Sequence, residues 1–171
     1  MSLQGAFQLP GSLGLRFTAP ADQTFLLEMF TAARPWLAET HHDADFVRAL
    51  YEDQQRINGI GQEQVYPNHL DFVVERTGQA IGHLVIHIGQ EEWRIAQLEF
   101  HPLARGKGNG SDLVRGLQAG AERARVALTA SALTEAPRAL EFYRRLGFQI
   151  AGHRSLFTEL VWLPQLKSSL K

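Results

Sequence analysis

The chain of 171 residues contains no cysteine. That excludes a disulfide framework, a cysteine nucleophile and a thiolate metal site, and it suits a reducing compartment. No apolar run approaches the roughly 20 residues that cross a bilayer, so no membrane partner is expected. The N-terminus has no basic segment followed by a long apolar stretch, so a secretory signal is not expected and a cytoplasmic location is. An excess of one charge is also missing. The formal net charge is −1, which argues against nucleic acid as a partner. Internal repeats and low-complexity linkers are absent, and a single domain over residues 1–171 is expected. With 44% hydrophobic residues, such a domain buries a core without a covalent staple.

Charge is unevenly placed along the chain. Residues 21–64 carry eight acids, among them Glu28, Glu52 and Asp53, against Arg34, Arg48 and Arg56. Residues 94–145 carry nine bases, among them Arg105, Lys107, Arg138, Arg144 and Arg145, against five acids. The second half suits an anionic ligand. The first half is either a set of solvated helix faces or a surface for a cationic partner.

Periodicity and breakers divide the chain into β, two helices, three strands, helix, strand, helix and two strands. A strand is read at 13–18, then helices at 22–33 and 43–56 with Asp43 as the N-cap of the second. A loop is read at 57–68 from Asn58-Gly59, Gly61 and Pro67-Asn68. Strands at 70–75, 80–88 and 92–100 form a meander of hairpins. A helix over 111–125 crosses to a strand at 126–131, which the crossover makes parallel to its predecessor. Pro137 starts the last helix and Gly147 follows its end. Strands at 148–151 and 156–163 close the chain. The second of these, with Trp162, is apolar enough to sit in a homodimer contact. The fold class is α/β (α+β): a mixed, mostly antiparallel sheet of about seven strands with helices on both faces.

Between the third strand of the meander and the crossover helix lies Arg105-Gly106-Lys107-Gly108-Asn109-Gly110-Ser111. A glycine turn opening a helix leaves unpaired N–H groups at the positive end of the helix dipole, where phosphate binds. A dinucleotide fingerprint would need glycine at 111, where Ser111 stands. A nucleoside-triphosphate loop would need Lys-Ser or Lys-Thr after its last glycine, and Ser111-Asp112 follows Gly110.

Two blocks resemble the GCN5-related N-acetyltransferase (GNAT) superfamily. The first is Leu98-Glu99-Phe100-His101-Pro102 leading into Arg105-Gly106-Lys107-Gly108-Asn109-Gly110. The second is Ala139, Tyr143, Arg144 and Arg145 before Leu146-Gly147-Phe148. The order of elements between and around them is similar over nearly the whole chain. The resemblance implies an acyltransferase that moves an acetyl group from acetyl-CoA to a primary amine of a small molecule or peptide, in a ternary complex. It implies that the cosubstrate's pyrophosphate sits on amides of Gly106, Lys107, Gly108, Asn109, Gly110 and Ser111, with Arg105 and Lys107 adding charge. Leu98 and Phe100 would offer backbone groups to the pantetheine arm at a strand bulge, and Tyr143 would protonate the leaving thiolate.

The general base is open at this point. Glu99 is the carboxylate nearest the bulge, on the strand face opposite Leu98 and Phe100. His83, His87 and His101 are further candidates. Arg94 stands near the position where some relatives carry a glutamate base, and Ala136 stands where many carry an asparagine that contacts the cofactor arm. Those two departures keep a second reading in view, a non-catalytic acyl-CoA-binding or interaction module on the same fold. His41-His42-Asp43-Ala44-Asp45 lacks a second ligand block at a metal-site spacing, so no metal is expected. Trp36, Phe46, Tyr51, Tyr66 and the acids around Glu52 and Asp53 are expected to form a lip for the amine.

Overall fold

The computed structural model describes residues 7–39 and 43–165. One sheet holds β1 (Phe7–Gln8), β2 (Leu13–Phe17), β3 (Leu70–Arg76), β4 (Gln79–Ile88), β5 (Glu92–Phe100), β6 (Ala127–Leu133), β7 (Gln149–Arg154) and β8 (Phe157–Trp162). Their spatial order is β1-β2-β3-β4-β5-β6-β8-β7. The helices are α1 (Gln23–Ala32), α2 (Ala44–Val65), α3 (Asn109–Ala124) and α4 (Pro137–Arg145). Among the described strands only β5 and β6 run parallel, because α3 carries the chain back between them. The sheet therefore has eight strands, where the sequence pattern suggested about seven. The addition is the two-residue β1, which pairs Phe7 with Leu15 and is too short to show an alternation.

Strand alternation assigns the two faces. Phe72 and Val74 of β3, Leu84 and Ile86 of β4 and Ile95 of β5 join Leu113, Val114 and Leu117 of α3 in one buried cluster, which also takes in Tyr143 of α4. The intervening Val73 and Val85 are fully buried on the other face, and Leu26, Met29 and Phe30 of α1 are buried too.

Helix α2 begins where Asp43 caps it, its side chain accepting from the amides of Asp45 and Phe46. The helix then runs through Asn58-Gly59 and Gly61, which the sequence pattern assigned to a loop. Each glycine costs a helix only about 1 kcal/mol. Against that, Asn58 and Gln62 donate to Gln97 Oε1 of β5 at 2.9 and 2.7 Å, which anchors the last turns of α2 on the sheet. The strand predicted for a subunit contact, β8, lies between β6 and β7, and the edge of the sheet is β7. Among the described residues no helix is long and apolar enough to cross a membrane.

Candidate active site

The parallel pairing of β5 with β6 runs from Glu92–Ala127 to Ile95–Ala130 and stops there. At the same level the β4–β5 register shifts: Val85 faces Gln97 while Ile86 faces Ile95, so Ala96 is an extra residue in β5. A bulge of this kind bends its strand and sharpens the twist. Beyond it Leu98 and Phe100 keep Leu84 and Gly82 as partners on β4. The other edge of 97–100 has no strand partner among the described residues. The bulge thus sits at Ala96, two residues before the 98–100 segment where it was expected. The resulting wedge is a gap of about 270 Å³ lined by Gln97, Leu98, Ser131, Ala132 and Tyr143.

A larger cleft of about 760 Å³ adjoins it. Leu98, Glu99 and Phe100 form one wall, the glycine turn and Ser111 a second, and Phe142 and Tyr143 a third, with Trp36 at the rim. The turn is held by its own side chains. Arg105 Nε donates to the Phe100 carbonyl at 3.1 Å, and Asn109 Nδ2 donates to the Ala104 carbonyl at 2.9 Å. Asn109 is therefore buried as a staple, and only its amide is available to a ligand. Gly106 and Gly108 adopt φ of +72° and +80°, a region unfavourable for other residues. A Cβ added at either would meet nothing within 4 Å. The first helical donor of α3 is Asp112, bonded to the Gly108 carbonyl at 2.9 Å. The amides of Asn109, Gly110 and Ser111 thus lack intrahelical acceptors and point along the positive end of the dipole.

Tyr143 is packed edge-on against Phe142 and Phe148. Burial pushes its phenol up to about 12, and the positive charge of Arg94 opposes that shift. The phenol is therefore protonated at neutral pH and able to donate. Arg94 itself donates to Glu159 at 2.9 Å and to Ser131 Oγ at 3.0 Å, so it bridges β5, β6 and β8.

Glu99 is 7% exposed. Arg34, from the turn after α1, donates to its Oε1 at 2.5 Å, while Oε2 is buried without a hydrogen-bond partner among the described residues. His83, also 7% exposed, faces Glu99 directly across β4 and β5. Its Nε2 lies 2.6 Å from Asp71 Oδ1, and its Nδ1 is buried and unpartnered among the described residues. Of the other histidine candidates, His87 stacks on Tyr66 and His101 lies 3.2 Å from Glu28.

The expected acidic lip is not bare. Glu52 is paired with Arg48 and Asp53 with Arg56. Tyr51 is buried, and its hydroxyl donates to the Arg34 carbonyl at 2.6 Å. Tyr51, expected at the lip, is thus packed inside. His41 and His42 lie outside the described residues, and among the described residues no three acidic or histidine side chains gather as a metal site.

Arg34, Phe142 and Arg138 were not singled out from the sequence. Arg138 lines both the main cleft and a shallower one formed with Ser111, Glu141 and Arg145. A basic residue one position into a helix beside a phosphate turn is a signal that the sequence did carry. Arg34 and Phe142 reach the site through tertiary packing and carry no such mark.

Residues 67–150 match the family model described as an acetyltransferase (GNAT) domain. No curated protein matches the chain in sequence. Among solved structures, an acetyltransferase from Thermus thermophilus is similar at 20% identity and a TM-score of 0.65, over 91% of this chain and 99% of that one. The PaiA N-acetyltransferase of Thermoplasma acidophilum, solved with coenzyme A, is similar at 14% identity and a TM-score of 0.62, over 89% and 99%. A point mutant of the spermidine N-acetyltransferase SpeG of Vibrio cholerae is similar at 21% identity and a TM-score of 0.59, over 89% and 94%.

Proposed function

We infer that this chain, whose residues 67–150 match the acetyltransferase (GNAT) domain model, is a GNAT enzyme that moves an acetyl group from acetyl-CoA to a primary amine by direct attack in a ternary complex. The observation that carries the reading is one cleft that unites four parts: an anion-binding turn, an unpaired strand edge, a protonated phenol and a buried carboxylate. One neighbour acts on spermidine and another modifies the N-terminal serine of a ribosomal protein. A polyamine and a peptide terminus are both amines, which supports the acceptor class.

The residues fit acetyl-CoA. The open space at Gly106 and Gly108 and the free amides of Asn109, Gly110 and Ser111 suit a pyrophosphate, with Lys107 and Arg138 adding positive charge. The free edge of 97–100 suits the amide groups of the pantetheine arm, as an added strand would. Glu99 Oε2 takes a proton from the ammonium while Arg34 holds Oε1. The amine lone pair then attacks the thioester carbon and the C–S bond breaks. As it breaks, Tyr143 gives its proton to the departing thiolate, the nitrogen loses its second proton to solvent, and the phenol regains one from solvent. Calorimetric titration with acetyl-CoA tests the donor half. One site per chain is expected, and the absence of binding at millimolar acetyl-CoA overturns the reading.

A further inference from the structure

We propose that His83 and Asp71 carry the proton taken up at Glu99 out of the active site. The path runs from Glu99 Oε2 to His83 Nδ1, and from His83 Nε2 through Asp71 to water between α1 and α2. The proposal rests on the acetyl-transfer reading. An alkylammonium and a thioester become an amide, a free thiol and one proton, so each turnover must discharge a proton, and Glu99, 7% exposed, has little direct access to bulk water.

The geometry points to this route through what is left unpaired. Asp71 Oδ1 is an acceptor, so at 2.6 Å from it the Nε2 of His83 carries the hydrogen. Nδ1 of the neutral ring is then a bare acceptor. On the neighbouring strand Glu99 Oε2 is a second bare acceptor. The two residues stand directly opposite each other, which places their Cβ atoms about 5 Å apart. Both acceptors are buried on directly opposed residues and have no protein donor among the described residues, and one water donating to both would satisfy them and carry the proton across.

The exit is open on the far side. The Asp71 side chain is 37% exposed. Asp71 and His83 line a polar cleft of about 640 Å³ between α1 and α2, with Asn58, Gln62 and Gln97. The charged groups across that cleft are Arg48, Arg56 and Glu52, of which Arg48 and Glu52 pair with each other. Arg34 is the cation on Glu99. The steps balance. Glu99 takes the ammonium proton and passes it to Nδ1. The imidazolium, flanked by Asp71 and Glu99, gives its Nε2 hydrogen to cleft water by way of Asp71, and the neutral ring, left with its hydrogen on Nδ1, regains the starting tautomer by proton exchange with water before the next turnover.

The test uses His83→Ala and Asp71→Asn in the full chain, with acetyl-CoA and an amine that the wild type acetylates. For His83→Ala, kcat is expected to fall about tenfold or more, with the KM and calorimetric affinity for acetyl-CoA unchanged. Added imidazole then restores kcat in a saturable way, because it enters the space left by the ring. Asp71→Asn, at a partly exposed position, is expected to lose severalfold in kcat and to respond to imidazole likewise. A kcat within twofold of wild type in both variants, or a loss that imidazole does not relieve, overturns the relay. No turnover in the wild type removes the acetyl-transfer reading and the relay together. Wild-type turnover with indifferent variants removes the relay alone.

Discussion

Arg34 closes on Glu99 from the end of α1. Its Nη1 lies 2.5 Å from Oε1 and also donates to the Phe30 carbonyl, while the guanidinium carbon stands 3.7 Å over the Phe30 ring. One residue thus fixes the carboxylate and ties it to a helix core. Glu99→Gln keeps the shape and removes the proton acceptor, so kcat is expected to fall by about 100-fold with little change in the KM for acetyl-CoA. Arg34→Ala strands a buried carboxylate and is expected to cost about 2 kcal/mol of stability in urea unfolding. Equal kcat for Glu99→Gln and wild type would remove Glu99 from the mechanism.

Gly108→Asp places a negative charge where the turn would meet phosphate, at a backbone φ of +80° with open space around it. The fold has room for the side chain, so the thermal midpoint is expected to shift by only a few degrees. Acetyl-CoA affinity by calorimetry is expected to drop more than about tenfold, as a lost charge-assisted contact does. Gly108→Ala should fall between the two. Unchanged affinity in the aspartate variant contradicts the phosphate assignment.

Tyr143→Phe removes the proton donor and leaves the ring between Phe142 and Phe148. The turnover number is expected to fall by about 100-fold with acetyl-CoA binding intact. Burial has pushed the wild-type phenol up to about 12. The protonated form, and the activity that depends on it, is lost only as pH rises towards that value. A kcat profile of the wild type should therefore show no phenol limb below about pH 10, the ordinary tyrosine value.

Asp22 accepts two bonds of 2.8 Å from Arg16, which also holds Glu75 at 3.1 Å, and so locks the entry to α1 against β2 and β3. The Arg16 guanidinium, aided by the Ala19 amide, lowers the Asp22 carboxyl below the usual carboxylate range. A depressed folded-state value means that this stabilisation is complete above the unfolded value of about 4 and is lost as pH falls through the folded one. The urea midpoint of the wild type should decline below about pH 4, and Asp22→Asn should decline less steeply. Identical slopes contradict this role.

What the sequence made legible was what is written locally. The turn at 105–111, the proline start of α4 and the position of Tyr143 each depend on neighbours within a few residues. Asn58-Gly59 and Gly61 misled because their turn chemistry is overridden by the bonds from Asn58 and Gln62 to a strand 35 or more residues away. Strand alternation set Glu99 on the face opposite Leu98 and Phe100. Its partners were hidden, since Arg34 is 65 residues distant. The pairing of Glu99 with His83 depends on a register offset by the bulge at Ala96. Glu52 and Asp53 are paired locally, with arginines a helical turn away on the same exposed face.

The most direct measurement of the central claim is the release of free thiol from acetyl-CoA, read alongside the mass of the product, across a panel of polyamines, amino sugars and peptide N-termini. The account predicts thiol release that requires an amine and matches the acetylated product mole for mole. Binding of acetyl-CoA without amine-dependent thiol release from any member of the panel would contradict it.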